Sequence, residues 1–496
     1  MTVGIANAEH ERFHVSVGSC SFKYQFAEIY LARFKAVRAG LVEEARRRWN
    51  RDADEMPPVR SLADLKHNED CIIIGTLFRV SLESAQKPSI IKQLADLEQI
   101  GIGGGAKAVV TEADTAEKDG QLSRLAGDND ELFLEDEVQR ISLCVSDDFI
   151  RHRLVTGVVV CLRGSESENS QGSFTVVDVA FLEPKPQSPI AVSEHPEPFP
   201  PHLPLEGSKW AAFVSGLGFT GSAVGGHHAF ALRLLGDWLR GGGTRGPLRH
   251  LFILGDSIRA GDPGDNEVLG LIEQARFLAR KSDADSVVAM AAFDAWLSEL
   301  PLGQGGLCVE ILPGPSDCVS QLLPQQPLHP ILLPKAIART GGGVRSSTNP
   351  CLSQVGSRRI LATSGQTVTD VYRYTKAGGV LDCMESLLHW GHMAPTCPDT
   401  LYGYPLADRD LLLLRTDGSC GASPDYPDIF VAGNQPVAQW RRASLEPWRS
   451  ALSTAAKRDG SLLISVPRFD SSHTIVLLEL ESLRCLPLRF DQSEIS

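Results

Sequence analysis

Apolar runs that stop abruptly at a polar turn are where this 496-residue sequence could place chemistry, and the sharpest of them is LFILGDSIRAGD (251–262). The run ends in Gly255-Asp256, so a strand there delivers a carboxylate to the carboxyl edge of a sheet. A carboxylate in that place can ligate a divalent ion. Two such ions about 3.5–4 Å apart turn a bound water into a hydroxide that attacks a phosphoester, provided nearly every ligand is present. Four further runs end in the same region, at Ser215-Gly216-Leu217-Gly218, Gly314-Pro315-Ser316-Asp317, Thr363-Ser364-Gly365-Gln366 and Ala432-Gly433-Asn434-Gln435-Pro436. Among these ends only Asp256 and Asp317 are acids. For both, a loop carboxylate accepting backbone N–H groups is favoured over a metal ligand.

Other side chains offer less. His389 and His392 in LLHWGHM stand three residues apart near a helix end, but no further Cys or His is spaced to complete a zinc set, so packing is favoured. His227 and His228 in GGHHAF fall at a helix start and receive no role. Phe78, Phe174 and Phe181 are the platforms a single-stranded nucleic acid would stack on, yet few basic residues flank them, which favours a structural or protein-binding role. Tyr372, Tyr374, Tyr402 and Tyr404 read either as packed aromatics or as interface anchors.

Those residues need elements to hold them. A hydrophobic content of 43% suits packed globular units, and the length suggests about two to four of them. The net charge of −13 argues against a surface that grips phosphates broadly, which rests on clustered Lys and Arg. The 11 cysteines include no Cys-x-x-Cys pair, so reduced thiols in a nuclear or cytosolic compartment are expected. No cleavable leader and no apolar run of roughly 18 residues is visible, which predicts a soluble, non-secreted chain.

Residues 22–49 place Phe26, Tyr30, Phe34, Val37, Leu41, Ala45 and Trp49 at three- to four-residue spacing, the pattern of an amphipathic helix. Lys35, Arg38, Arg46, Arg47 and Arg48 then make a solvated opposite face. The runs 71–80, 136–145, 154–164 and 172–183 are β-rich and divided by turns, predicting a small antiparallel barrel interrupted by a flexible acidic insertion at 101–131. A proline-crowded linker follows at 187–206. Beyond it, strand-like runs alternate with helix-like ones, among them 266–282, 286–300 and 380–391, predicting an α/β layered domain with its chemistry at strand ends. The tail 461–490 reads as two or three antiparallel strands. The expected organisation is a helical segment (1–66), a barrel domain (67–186), the linker, and an α/β domain (207–496).

Set together, the five strand ends resemble the metal-binding loops of calcineurin-like metallophosphoesterases, which read Asp-x-His, Gly-Asp-x-x-Asp, Gly-Asn-His-Asp/Glu, a lone His, and Gly-His-x-His. Against that pattern Gly216 and Gly218 stand for Asp and His, Asp256 is kept, and Arg259 replaces the second acid. Ser316 and Asp317 occupy the third loop, Ser364 the fourth, and Asn434 and Pro436 the two histidine positions of the fifth. A fixed positive charge about 4 Å from a divalent ion costs roughly 8 kcal/mol at an effective dielectric of 20, so Arg259 weighs further against metal. The resemblance therefore implies a degenerate metallophosphoesterase-like α/β/β/α domain that holds no metal and no cofactor.

Such a domain behind a barrel of oligonucleotide-binding (OB) type is similar to the B subunits of replicative DNA polymerases. The delta type is favoured by FKYQFAEIYLARF, CIIIGTLFRV, ELFLEDEVQRISL, FVSGLG, QPLHPILLP, TNP, TSGQTVTDVYRY, HMAPTCPDTLYGYP, FVAGN and SVPRF, which span nearly the whole chain in order. This resemblance implies a non-catalytic nuclear scaffold for DNA replication and repair synthesis. Its implied partners are the cysteine-rich C-terminal module of the catalytic polymerase chain and a third, clamp-binding subunit, with an indirect link to the sliding clamp and DNA. The competing readings are a metal-dependent phosphodiesterase or nuclease, and a single-stranded-DNA-binding OB protein.

Overall fold

The structure, a computed structural model, describes residues 12–16, 18, 27–49, 56–80, 124–166, 172–182, 210–221, 226–242, 248–259, 271–303, 306–340, 343–376, 378–406, 408–414, 426–444 and 459–490. The linker 187–206 and most of the acidic insertion, up to residue 123, lie outside them.

The first long element is helix α1, Ala27–Trp49. Its buried positions Ile29, Arg33, Phe34, Val37, Leu41 and Ala45 follow helical spacing, and the last four pack on the barrel against Ile72, Ile74 and Cys161. Each large apolar side chain so buried contributes roughly 1.5–3 kcal/mol. On the opposite face Lys35, Arg38, Arg46 and Arg47 are exposed as expected, and Arg48 is the exception. Arg48 makes two hydrogen bonds to Asp178, at 2.7 and 3.0 Å, and the Trp49 indole donates to the same carboxylate at 2.8 Å.

The barrel is built from β1 (Val59–Arg60), β2 (Cys71–Val80), β3 (Glu131–Glu135), β4 (Arg140–Val145), β5 (Val159–Glu166) and β6 (Ser173–Ala180), with a short helix α2 (Asp148–Arg151) between β4 and β5. Strand β2 pairs with both β3 and β5, which closes the circuit β2-β3-β4-β6-β5. Three details differ from expectation. The run 136–145 is not one strand: Asp136 accepts the N–H groups of Val138 and Gln139 to form a hairpin between β3 and β4. The β4–β6 pair is parallel, so the barrel is not wholly antiparallel. Strand β1 pairs with β2 and Leu62 enters the barrel core, so the expected boundary at residue 66 falls inside this unit.

Downstream lie β7 (Trp210–Val214), α3 (His227–Asp237), β8 (Leu248–Leu254), α4 (Leu271–Ser298), β9 (Cys308–Leu312), α5 (Pro334–Thr340), β10 (Val344–Ser346), β11 (Cys351–Val355) and β12 (Arg358–Thr363). They are followed by α6 (Gln366–Tyr374), α7 (Val380–Trp390), β13 (Ile429–Gln435), β14 (Gln439–Ser444), β15 (Asp459–Pro467), α8 (Phe469–Ser472), β16 (Thr474–Glu479) and β17 (Cys485–Arg489). One sheet runs β10-β9-β8-β7-β16-β17 and the other β11-β12-β13-β15-β14.

Strand alternation decides the layering. Phe252 and Leu254 of β8 join Phe213, Ile360, Val431 and Ile464 in a core between the two sheets, whereas Leu251 and Ile253 face Leu232 and Leu235 of α3 and Phe293 of α4. On the far side, Leu361, Phe430 and Leu463 meet Met384, Leu387 and Leu388 of α7, and this cluster runs on into the barrel core. The order is helices, sheet, sheet, helices, with the barrel against the outer helical layer. Between residues 271 and 298 the two helix-like runs expected at 266–282 and 286–300 are continuous, as the one helix α4. In the tail, β16 and β17 are the antiparallel pair expected and extend the first sheet, whereas β15 belongs to the second, antiparallel to β14 and parallel to β13.

Candidate functional site

All five strand ends do converge, joined by a sixth that sequence reasoning did not assign. The chain after β7 keeps pairing with the chain after β8: Gly216 donates to the Gly255 carbonyl at 3.0 Å and Gly218 to that of Asp256 at 3.1 Å. Gly255 has φ +78° and Asp256 φ +52°, a left-handed turn that swings the carboxylate back over the sheet edge. Asp256 is 2% exposed. One of its oxygens accepts from the Ser316 amide at 3.0 Å and the other from Arg468 at 2.7 Å.

Arg468 follows β15 and also grips Asp470 through two hydrogen bonds, at 3.2 and 2.8 Å. Burial works against its charge, but Asp470 and Asp256 together raise its pKa above the usual value. A Cβ at Gly216 would lie 2.8 Å from Asn434 Oδ1 and 3.1 Å from Arg468 Cβ, and one at Gly218 would lie 3.0 Å from Asp470 Cβ.

Asp317 is engaged by its own loop and by the loop that follows β8. Its oxygens accept from Gly314 at 2.8 Å and from Ile258 at 3.2 Å. Burial, helped by the Asp256 charge, pushes its pKa up to about 7 in spite of those amides. The fourth and fifth ends are neutral. Ser364 receives the Asn349 amide at 2.6 Å and donates to Gln366 at 2.7 Å, and Gln366 in turn donates to Gln325 at 3.0 Å. Asn434 donates to the Leu254 and Ser364 carbonyls at 3.1 and 2.9 Å, tying β8 and β12 to β13.

Arg259 does not stand beside Asp256 as the sequence suggested. It is exposed, its backbone pairs with Phe219, and the cation against Asp256 is Arg468. Pro436 is exposed as well. Among the described residues no three His, Cys, Asp or Glu side chains are grouped to hold a metal ion. Both oxygens of Asp256 and of Asp317 accept hydrogen bonds within the protein. The signal that could have found Arg468 was SVPRF, an arginine at the end of an apolar run; the Gln325–Asn349–Gln366 network lay in the QPLHP, TNP and TSGQ motifs.

The remaining candidates separate. His392 and Asp410 meet at 2.8 Å in a buried cluster with Arg33, whose Nε lies 2.7 Å from Asp410. Arg33 also donates to the carbonyls of Gly157, Pro395 and Cys397, at 2.8, 2.7 and 2.8 Å, so one side chain joins α1, the barrel and the second unit. Burial, with Arg33 beside it, lowers the His392 pKa; burial would raise Asp410, but His392 and Arg33 hold it well below the usual carboxylate range. His228 Nε2–H donates to the Leu217 carbonyl at 3.0 Å. Of the three aromatics Phe174 is a core residue and Phe181 packs against the core, while half-buried Phe78 pairs across strands with Phe133, both under Arg140. Tyr372 and Tyr374 pack against the core while Tyr402 is 53% exposed.

Comparison with known proteins bears on both units. Residues 25–179 match the family described as DNA polymerase delta subunit OB-fold domain, and residues 211–439 match the family of the DNA polymerase alpha/epsilon B subunits. The chain is 28% identical over 477 residues to DNA polymerase delta subunit 2 of Drosophila melanogaster, covering 95% of this chain and 94% of that one. It is 29% identical over 477 residues to the DNA polymerase delta small subunit of Arabidopsis thaliana, covering 94% and 91% of the two chains. With the corresponding Saccharomyces cerevisiae small subunit it shares 26% over 501 residues, 94% of this chain and 89% of the other.

Proposed function

The chain belongs to the B-subunit family of replicative DNA polymerases, as a relative of the delta small subunits, and from that premise we propose that it is a non-catalytic accessory subunit of DNA polymerase delta. It acts in the nucleus, in replication and repair synthesis. Its phosphoesterase-like second domain and its barrel form a scaffold between the cysteine-rich C-terminal module of the catalytic chain and a third, clamp-binding subunit. DNA synthesis resides in the catalytic chain.

One observation carries the non-catalytic reading: Asp256 is committed to Arg468 and Ser316, and Asp317 to two backbone amides. A hydroxide generator needs those carboxylates free for metal. The layered order of helices and sheets supports a phosphoesterase-like ancestry, and the glycine approaches at Gly216 and Gly218 support retention of its loops as packing.

The test has two arms. Co-expressed with the catalytic and third subunits, the tagged chain is expected to purify as a stoichiometric complex. Alone, it is expected to show no manganese-dependent hydrolysis of bis(p-nitrophenyl) phosphate. Hydrolysis that disappears in Asp256→Ala would overturn the non-catalytic reading.

A further inference from the structure

A cleft of about 520 Å3 opens where α1, the β3–β4 hairpin and the chain near Asp399 meet, away from the strand-end cluster. Its walls include Phe34 and Phe78 and, on the outward face of α1, Leu31, which is 39% exposed. An apolar side chain left that open on a helix, beside two aromatics, marks an anchor pocket more than a folding core. The rim is acidic. Glu135, Asp136, Glu137 and Asp399 line the cleft against Lys35, the one basic lining residue among those described. Glu135 is paired with Arg140, Asp136 caps the hairpin and Asp399 interacts with the Tyr30 hydroxyl and Arg33, so the exposed Glu137 is the rim acid most open to a ligand, within a lining of four carboxylates and one lysine.

On the accessory-subunit reading, we propose that this cleft docks a segment of a partner chain presenting an apolar side chain flanked by Lys or Arg. The apolar anchor supplies desolvated contact, and the acidic rim selects cations and rejects acidic segments. The cleft is lined from all three bodies that Arg33 joins, so the docked segment also braces α1, the barrel and the second unit against one another.

The test uses the full chain co-expressed with the catalytic and third polymerase subunits, with photo-crosslinking benzoylphenylalanine in place of Leu31. The expected product is a crosslink to a partner peptide carrying an apolar residue between Lys or Arg. Leu31→Glu and Glu137→Lys, both surface changes, are expected to weaken the complex about tenfold or more with the melting temperature of the free chain unchanged. A complex that forms normally with no crosslink at Leu31, with crosslinks only within this chain or to a second copy, or with a neutral or acidic partner segment overturns the docking proposal alone. Failure of the unaltered chain to form any complex overturns the accessory reading and the docking proposal with it.

Discussion

A carboxylate that is 2% exposed must be compensated where it sits, and for Asp256 the compensation arrives from Arg468, 212 residues away in sequence. Removing the cation leaves a buried acid without its partner. Arg468→Met is therefore expected to lower stability by roughly 1–3 kcal/mol, the smaller end reflecting the partial exposure of Arg468, and Asp256→Asn in the same chain is expected to recover part of it. Urea denaturation of the single and double variants measures both. Asp317 makes a pH prediction of defined sign. Its pKa is about 7 folded and near 3.9 unfolded, so the folded state holds more protons between those values. Stability is expected to fall as pH rises from about 4 to about 7 and to level beyond, and Asp317→Asn is expected to flatten that slope whatever its baseline. The two acids were legible in the sequence because each follows a strand-like run. Their partners were not, because a hydrogen bond from Arg468 to Asp256 leaves no local pattern, and Arg259, three residues from Asp256, was the nearer but wrong cation.

Among the elements, α1 and β2 were the most legible, since three- to four-residue spacing and a continuous apolar run leave little choice of period. The helix-like runs 266–282 and 286–300 read as two because Ser282-Asp283-Ala284-Asp285 is polar, yet no Gly or Pro stands there to break α4. The parallel neighbour of β15 was illegible for a different reason: neighbours are chosen by topology, and its continuously buried run is compatible with either direction, β15 being parallel to β13 and antiparallel to β14. Periodicity also hid the most consequential residue of α1. Arg33 sits on the buried face among apolar side chains and makes four hydrogen bonds across three bodies. Arg33→Met leaves Asp410 buried without its cation and is expected to cost roughly 3–5 kcal/mol. Hydrogen exchange should locate the loss: amides of α1 are expected to lose protection, while those of β7, β8 and β9 keep theirs.

For the whole molecule, continuity of packing matters more than any single strand end. The barrel core and the outer helical layer of the second unit form one apolar cluster, which suits a rigid body that others assemble on. The net charge of −13 suits protein partners better than broad contact with nucleic acid. Oligonucleotide titration of the free chain is accordingly expected to show no salt-dependent binding in the micromolar range. The most direct test of the central claim is size-exclusion chromatography with light scattering on the full chain co-expressed with the catalytic and third subunits of DNA polymerase delta. The prediction is one co-eluting species containing one copy of each chain. A chain that elutes by itself as a stable monomer in the presence of those subunits would contradict it.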